Sequence, residues 1–280
     1  MPDSGSWDVL FGANPSPLVL SVYFPVAAHR EAGFAELAMK VGSKYRFLQA
    51  KLPAARAGQQ VSGTMYVDRW IDDIRDQPVM AVLGYRVGSV YAAAIAEELA
   101  RRQSAPKVIL FDPQLAGTEF LSREFRREIS VISSLLSDDE IARAGRFATE
   151  IAESAPDDIA NTAATVAGIY WEISSVAFER AGIGGAYCRK SFAPFESYMS
   201  LISAADQVDP GRAWKRSAAI VSSDYAGLPN RSPLGDDANS VVGRSIPFSV
   251  PHADLLRSDS VAKTVLDLLD DWVDGPLVRF

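Results

Sequence analysis

Residues Gly84-Tyr85-Arg86-Val87-Gly88 place an arginine between two glycines, directly after the continuous apolar run Val79 to Leu83 and before a helix-forming stretch rich in small residues that opens at Ser89. A buried strand that turns sharply between two glycines into a helix forces the central residue out at the end of the strand. A Gly-x-Ser-x-Gly elbow presents a nucleophilic serine in this way. Here the frame is present and the serine is not. A guanidinium stays charged and has no lone pair to attack with, so Arg86 is no nucleophile. It can instead grip a carboxylate, phosphate or enolate oxygen through paired hydrogen bonds. The chain has two histidines, His29 and His252, and imidazoles exchange protons near neutral pH. Ser89, one turn beyond the elbow, is expected to point along its helix and makes a poor replacement nucleophile. The single cysteine, Cys188, reads as a small buried packing residue.

The elements that must position these residues follow from the apolar pattern. Short apolar runs at Leu18–Phe24, Tyr45–Leu52, Pro78–Gly84, Lys107–Phe111, Arg216–Val221 and Ser245–Val250 read as strands. Helical spacing separates several of them, at 33–40, Met65–Arg75 and Ser89–Arg102, and closes the chain at Ser260–Val273. Alternating strands and helices imply an α/β class with a mostly parallel central sheet and helices on both faces. From about Thr118 to Asp209 the alternation stops and the chain becomes almost wholly helical, with Ser137-Asp-Asp-Glu140 as a capping box. The expected organisation is an N-terminal extension over 1–17, its first ten or so residues loosely ordered, a core made of 18–117 and 210–280, and a helical lid insertion over 118–209.

Over its 280 residues the chain carries a formal net charge of −7. That balance speaks against a nucleic-acid partner and against anionic membrane surfaces. No apolar run is long enough for a membrane span. The N-terminal residues lack the basic flank and apolar stretch of a secretory signal, and one cysteine allows no internal disulfide, so a cytoplasmic location is expected. Without a Walker loop, a Gly-x-Gly-x-x-Gly pattern or Cys/His metal spacing, neither a cofactor nor a metal is expected.

Across residues 18 to 275 the chain resembles the α/β-hydrolase-fold thioesterases of polyketide and nonribosomal-peptide pathways. Gly84-Tyr-Arg-Val-Gly-Ser89 resembles their Gly-His/Tyr-Ser-x-Gly-Gly elbow. Phe24-Pro-Val-Ala-Ala-His29, followed by Phe34, resembles their Phe-Pro-x-Ala-Gly-Gly strand end, which supplies an oxyanion amide. Leu52-Pro53 lies where they carry a Pro-Gly-Arg turn. Ser249-Val-Pro-His-Ala-Asp-Leu-Leu256 resembles their histidine loop. The resemblance implies that His252 is the acid–base residue. Its orienting acid is Asp224 by the pattern of the stand-alone members, or Asp112 by that of the terminal cyclising domains. Ala28, His29, Tyr85, Val87 and Ser89 are then expected around the substrate, an acyl or polyketide-like molecule that is free or tethered to a carrier protein. The departures are Arg86 in place of serine and Ala28-His29 in place of Gly-Gly, so serine acyl-enzyme chemistry is not expected.

Each candidate also has a plainer reading. His252 is a structural histidine or a relic, and His29 an exposed loop residue. Arg86 is an ion-pair partner of Asp224 or Asp112 that plugs a dead site. Asp112-Pro113 is a strand-end turn, and Asp224 either orients His252 or pairs with Arg86. Arg123-Arg126-Arg127 and Arg189-Lys190 are solvated helix faces, or contacts for an acidic carrier. Three functions follow: non-covalent acid–base work by His252 with Arg86 holding an anionic oxygen, a catalytically silent protein that binds a carrier or ligand, or a residual thioesterase in which Ser89 or water supplies the oxygen.

Overall fold

A computed structural model of the chain describes residues 5–24, 31–53, 61–74, 77–154, 158–225 and 241–271. Among the described residues a seven-stranded sheet runs in the order β1-β3-β2-β4-β5-β6-β7. Its strands are β1 (Trp7–Phe11), β2 (Leu18–Val22), β3 (Arg46–Ala50), β4 (Val79–Tyr85), β5 (Lys107–Phe111), β6 (Ala218–Val221) and β7 (Arg244–Pro247). Only β1 is antiparallel to its neighbour; every other pairing is parallel.

The inner strands are apolar on both faces because both faces are covered. Leu18, Leu20 and Val22 of β2 pack to one side with α2 (Gly63–Asp72) and α3 (Gly88–Leu99). Val19, with Ala81, Leu83 and Tyr85 of β4, packs to the other side with α1 (Phe34–Val41) and α9 (Asp259–Asp270).

Between β5 and β6 lie four long helices, α4 (Thr118–Val131), α5 (Asp138–Glu153), α6 (Ile159–Arg180) and α7 (Gly185–Ala205), and the short α8 (Gly211–Lys215). The capping box at α5 forms: Ser137 Oγ accepts from the Glu140 amide, and the Glu140 carboxylate accepts from the Ser137 amide.

One expectation is corrected at the N-terminus. The first ten or so residues are not loosely ordered throughout, since Trp7–Phe11 forms the edge strand β1. Trp7 anchors it, 1% exposed, with its indole N–H donating to the Trp70 carbonyl at 2.9 Å. A five-residue strand with a single large buried ring leaves little periodic signal.

Candidate functional site

β4 ends at Tyr85, and Arg86 makes the turn with φ +53°, in the left-handed region, before α3 opens at Gly88. A non-glycine residue there costs about 1–3 kcal/mol, so the surroundings must hold it. They do: the Arg86 amide donates to the Phe111 carbonyl at 3.0 Å, and the Arg86 carbonyl accepts from Ser89 at 3.0 Å and Gln114 at 3.2 Å. The two glycines are required by close approach. A Cβ on Gly88 would sit 2.1 Å from the Val22 carbonyl oxygen, and one on Gly84 2.5 Å from Ser89 Cα. The strand–turn–helix frame expected from the sequence therefore forms, with β2, β4 and α3 in contact at one point.

The side chain of Arg86 does not project into solvent. The residue is 4% exposed. Its Nη2 donates to Glu124 Oε1 on α4 at 2.5 Å, and its Nη1 lies 3.7 Å from Glu31 Oε1. The guanidinium also lies over the Phe120 ring, 5.1 Å from its centroid. Arg127, one turn along α4, donates to Glu31 Oε1 at 2.7 Å and lies 3.9 Å from Glu124. The four charges close a ring in which each cation faces both anions: Arg86, Glu124, Arg127, Glu31. Burial works against the charge on Arg86, but Glu124 foremost, then Tyr198 and Glu31, outweigh it and raise its pKa. The expected partners Asp224 and Asp112 are thus replaced by Glu124 and Glu31. An arginine whose charge is already matched by two carboxylates is not poised to hold a substrate anion. The clusters on α4 are corrected too. Arg127 faces inward, and half-buried Arg123 donates to Gln114 at 2.5 Å, while Arg126 alone of the three is exposed.

His252 opens a 3-10 turn, His252–Arg257, after β7. Its Nδ1 lies 2.5 Å from Asp112 Oδ2. Asp112 is held from the residue after β6: the Ser222 amide donates to Oδ1 at 2.8 Å and the Ser222 hydroxyl to Oδ2 at 2.6 Å. Asp224 touches His252 differently, accepting from its backbone amide at 2.7 Å through Oδ1. Burial pushes the Asp224 carboxyl up, but that amide bond and the Ser222 side chain outweigh it and leave its pKa below the usual range. Both acids that the sequence left open therefore meet His252, Asp112 at the ring and Asp224 at the backbone. The other ring nitrogen, Nε2, is 3.0 Å from the Tyr85 hydroxyl, which also donates to the His252 carbonyl at 2.9 Å. The two rings stack with centroids 4.8 Å apart. Glu31 Oε2 lies 3.8 Å from Nε2, linking the histidine to the charged ring.

The residues expected around a substrate fare unequally. Ser89 is fully buried beneath Gly84 and lines no surface, and Val87 is 2% exposed. Tyr85 is 1% exposed and engaged with His252. Ala28 and His29 lie outside the described residues. Glu31 and Glu124 were not foreseen as site residues, nor were the inward pairing of Arg127 and the bond of Tyr85 to His252. The signal was the 3–4 spacing of Arg123, Glu124, Arg127 and Glu128 along α4, which places them on one face. Among the described residues no group of three or more His, Cys, Asp or Glu is arranged to hold a metal ion, and no helix is long and apolar enough to cross a membrane.

No protein-family model matches the chain, and no curated protein is similar in sequence. The likeness is in structure. A four-domain nonribosomal peptide synthetase bound to AMP and glycine superposes with a TM-score of 0.57 at 13% identity, over 96% of this chain and 20% of that one. A hydrolase from Oleispira antarctica superposes with a TM-score of 0.52 at 10% identity, over 96% of this chain and 97% of that one. A thioesterase domain bound with a dodecadepsipeptide gives 0.48 at 15% identity, over 96% and 98%. The fold is that of the α/β-hydrolases. The chain spans about a fifth of the length of the synthetase it matches.

Proposed function

We propose that this chain is a thioesterase-like α/β-hydrolase-fold protein that forms no acyl-enzyme. It acts as a binding module in polyketide or nonribosomal-peptide assembly, taking an acyl or polyketide-like ligand, free or carried on a partner protein. The elbow of this fold works by exposing a neutral nucleophile at the end of β4. Arg86 stands at that position, and the observation that carries the reading is its 2.5 Å contact with Glu124 at 4% exposure. The side chain that would otherwise attack is spent in tying the elbow to α4, the first helix of the segment read as a lid. Tyr85 likewise occupies the histidine nitrogen that would serve a nucleophile. The motif resemblances across residues 18 to 275 and the fold shared with a nonribosomal peptide synthetase support the setting.

A second reading rests on one specific observation, the 2.5 Å contact between His252 Nδ1 and Asp112. A histidine so oriented is competent for proton transfer without a covalent step, in a cyclisation, dehydration, isomerisation or water-based hydrolysis. For Arg86 to hold an anionic oxygen in that chemistry, substrate would have to displace Glu124.

A serine-directed fluorophosphonate and an acyl-N-acetylcysteamine thioester separate the readings. The binding-module reading expects no covalent label and saturable binding of the thioester with no turnover. Labelling at any residue contradicts the absence of an acyl-enzyme. Turnover that is lost in His252→Ala, without labelling, favours the second reading.

A further inference from the structure

Three side chains from separate parts of the fold converge on the carboxylate of Glu31. Arg127 of α4 donates to Oε1 at 2.7 Å, and Arg86 of the elbow lies 3.7 Å from the same oxygen. His252, after β7, brings Nε2 to 3.8 Å from Oε2. Glu31 itself belongs to no helix or strand. The backbone beside it is fixed, since the Ala32 amide donates to the Ala253 carbonyl at 2.9 Å. The carboxylate thus hangs on a flexible side chain over a fixed backbone, and holding it in place costs rotamer freedom.

The cluster has a closed side and an open side. The side chains of Arg86 and Glu124 are 5% and 1% exposed, whereas those of Arg127 and His252 are 31% and 16% exposed. Solvent therefore reaches the cluster at the partners of Glu31. A further donor stands unused there. The Tyr23 hydroxyl, one residue past β2, is buried and among the described residues has no hydrogen-bond partner. Burial, and then the charge of Glu31, raise the pKa of this phenol, so it keeps its proton and feels that carboxylate first among the charges around it.

An arginine, an imidazole and a phenol gathered about one carboxylate suit carboxylates in general. Exchanging Glu31 for the carboxylate of a ligand leaves the charge of the cluster unchanged, so no buried cation is stranded. Arg86 keeps its 2.5 Å contact with Glu124 throughout.

We propose that Arg127, His252 and Tyr23 form a carboxylate-binding site that Glu31 fills as an internal stand-in, displaced when the free-acid end of an acyl ligand enters from the side of Arg127. The site deepens the binding-module reading and rests on it, by naming the polar end of what is bound.

Glu31→Ala removes the stand-in, and acetate is the probe. Thermal unfolding of wild type, Glu31→Ala and the Glu31→Ala, Arg127→Gln double variant is followed in sodium acetate against sodium chloride of equal ionic strength. In acetate at about ten times its dissociation constant, Glu31→Ala is expected to gain about 3 °C over the chloride reference. Wild type, whose site is filled, and the double variant, which lacks the arginine, are expected to gain nothing over chloride. Should Glu31→Ala not fold in chloride, recovery of folded protein in acetate is the same result. No acetate-specific gain or recovery, or an equal gain in wild type or in the double variant, overturns the proposal. Octanoate tests displacement: Glu31→Ala is expected to bind it about tenfold more tightly than wild type does, and equal affinity overturns the stand-in. Octanoate that binds neither protein fails the binding-module reading, while the acetate result still decides the site.

Discussion

The guanidinium of Arg86, at the end of β4, and the carboxylate of Glu124, on α4, meet at 2.5 Å and join the sheet edge to the helices inserted after β5. Both are almost fully buried, so removing one partner strands the other's charge in a poor solvent. Arg86→Ser alone is expected to lose about 3–5 kcal/mol of stability, the usual cost of breaking a buried pair. Arg86→Ser with Glu124→Gln is expected to regain much of it. Urea unfolding of the wild type, both single variants and the double variant gives the coupling. Additive losses would mean that the two side chains do not depend on each other.

The glycines of the elbow make a second set of expectations. Gly88→Ala drives a methyl to 2.1 Å from the Val22 carbonyl oxygen, and neither the strand nor the helix can give way without separating. It is expected to cost about 3 kcal/mol or to prevent folding, the upper end of the usual range of about 1–3 kcal/mol for overpacked cores. Gly145→Ala, in the interior of α5 with nothing within 4 Å of the new methyl, is expected to stabilise by about 1 kcal/mol. Thermal midpoints of the two variants should move in opposite directions.

Glu128 gives the pH dependence. Its carboxyl is raised from 4.5 to about 7 by burial and by Glu124, against a weak opposing bond from Tyr170. An acid with a raised folded-state pKa binds its proton more tightly when folded, so stability falls as pH rises from about 4.5 and levels off above about 7. The shift corresponds to about 3 kcal/mol at most. Glu128→Gln is expected to match wild type near pH 4 and to exceed it at pH 8. Denaturation midpoints of the two proteins across that range check the divergence; parallel curves would remove Glu128 as their cause.

Asp112 separates charge from backbone shape. Its φ of +41° suits Asn nearly as well as Asp but not Ala. Asp112→Asn keeps the turn while weakening the charge-assisted contacts to His252 and Ser222, for an expected loss of about 1–3 kcal/mol. Asp112→Ala should lose more, because backbone strain is added. Equilibrium unfolding of both variants orders them.

The sheet was legible because inner parallel strands are continuous apolar runs, as at Val79 to Leu83, and because Ser137 and Glu140 mark a helix start by their own chemistry. The elbow was legible because close approach tolerates only Gly84 and Gly88. β1 was hidden because a short edge strand depends on one ring, Trp7, finding its place against Trp70. The partners of Arg86 were hidden for another reason. Glu31 and Glu124 are far apart in the chain, and the charges of α4 look like those of a solvated helix until tertiary packing turns that face inward. Asp112 and Asp224 stayed open as alternatives, and the fold brings both to His252, at different atoms.

Arg86 stands at the turn after β4 with its guanidinium held by Glu124, and a guanidinium has no lone pair to attack with. Hydrolysis of an acyl-N-acetylcysteamine thioester by wild type, His252→Ala and the Arg86→Ser, Glu124→Gln double variant tests the absence of elbow catalysis most directly. Wild type and His252→Ala are expected to be equally silent, and the double variant is expected to gain hydrolysis only where the Tyr85 hydroxyl yields His252 Nε2 to the new serine. Hydrolysis by wild type that disappears in His252→Ala would contradict it.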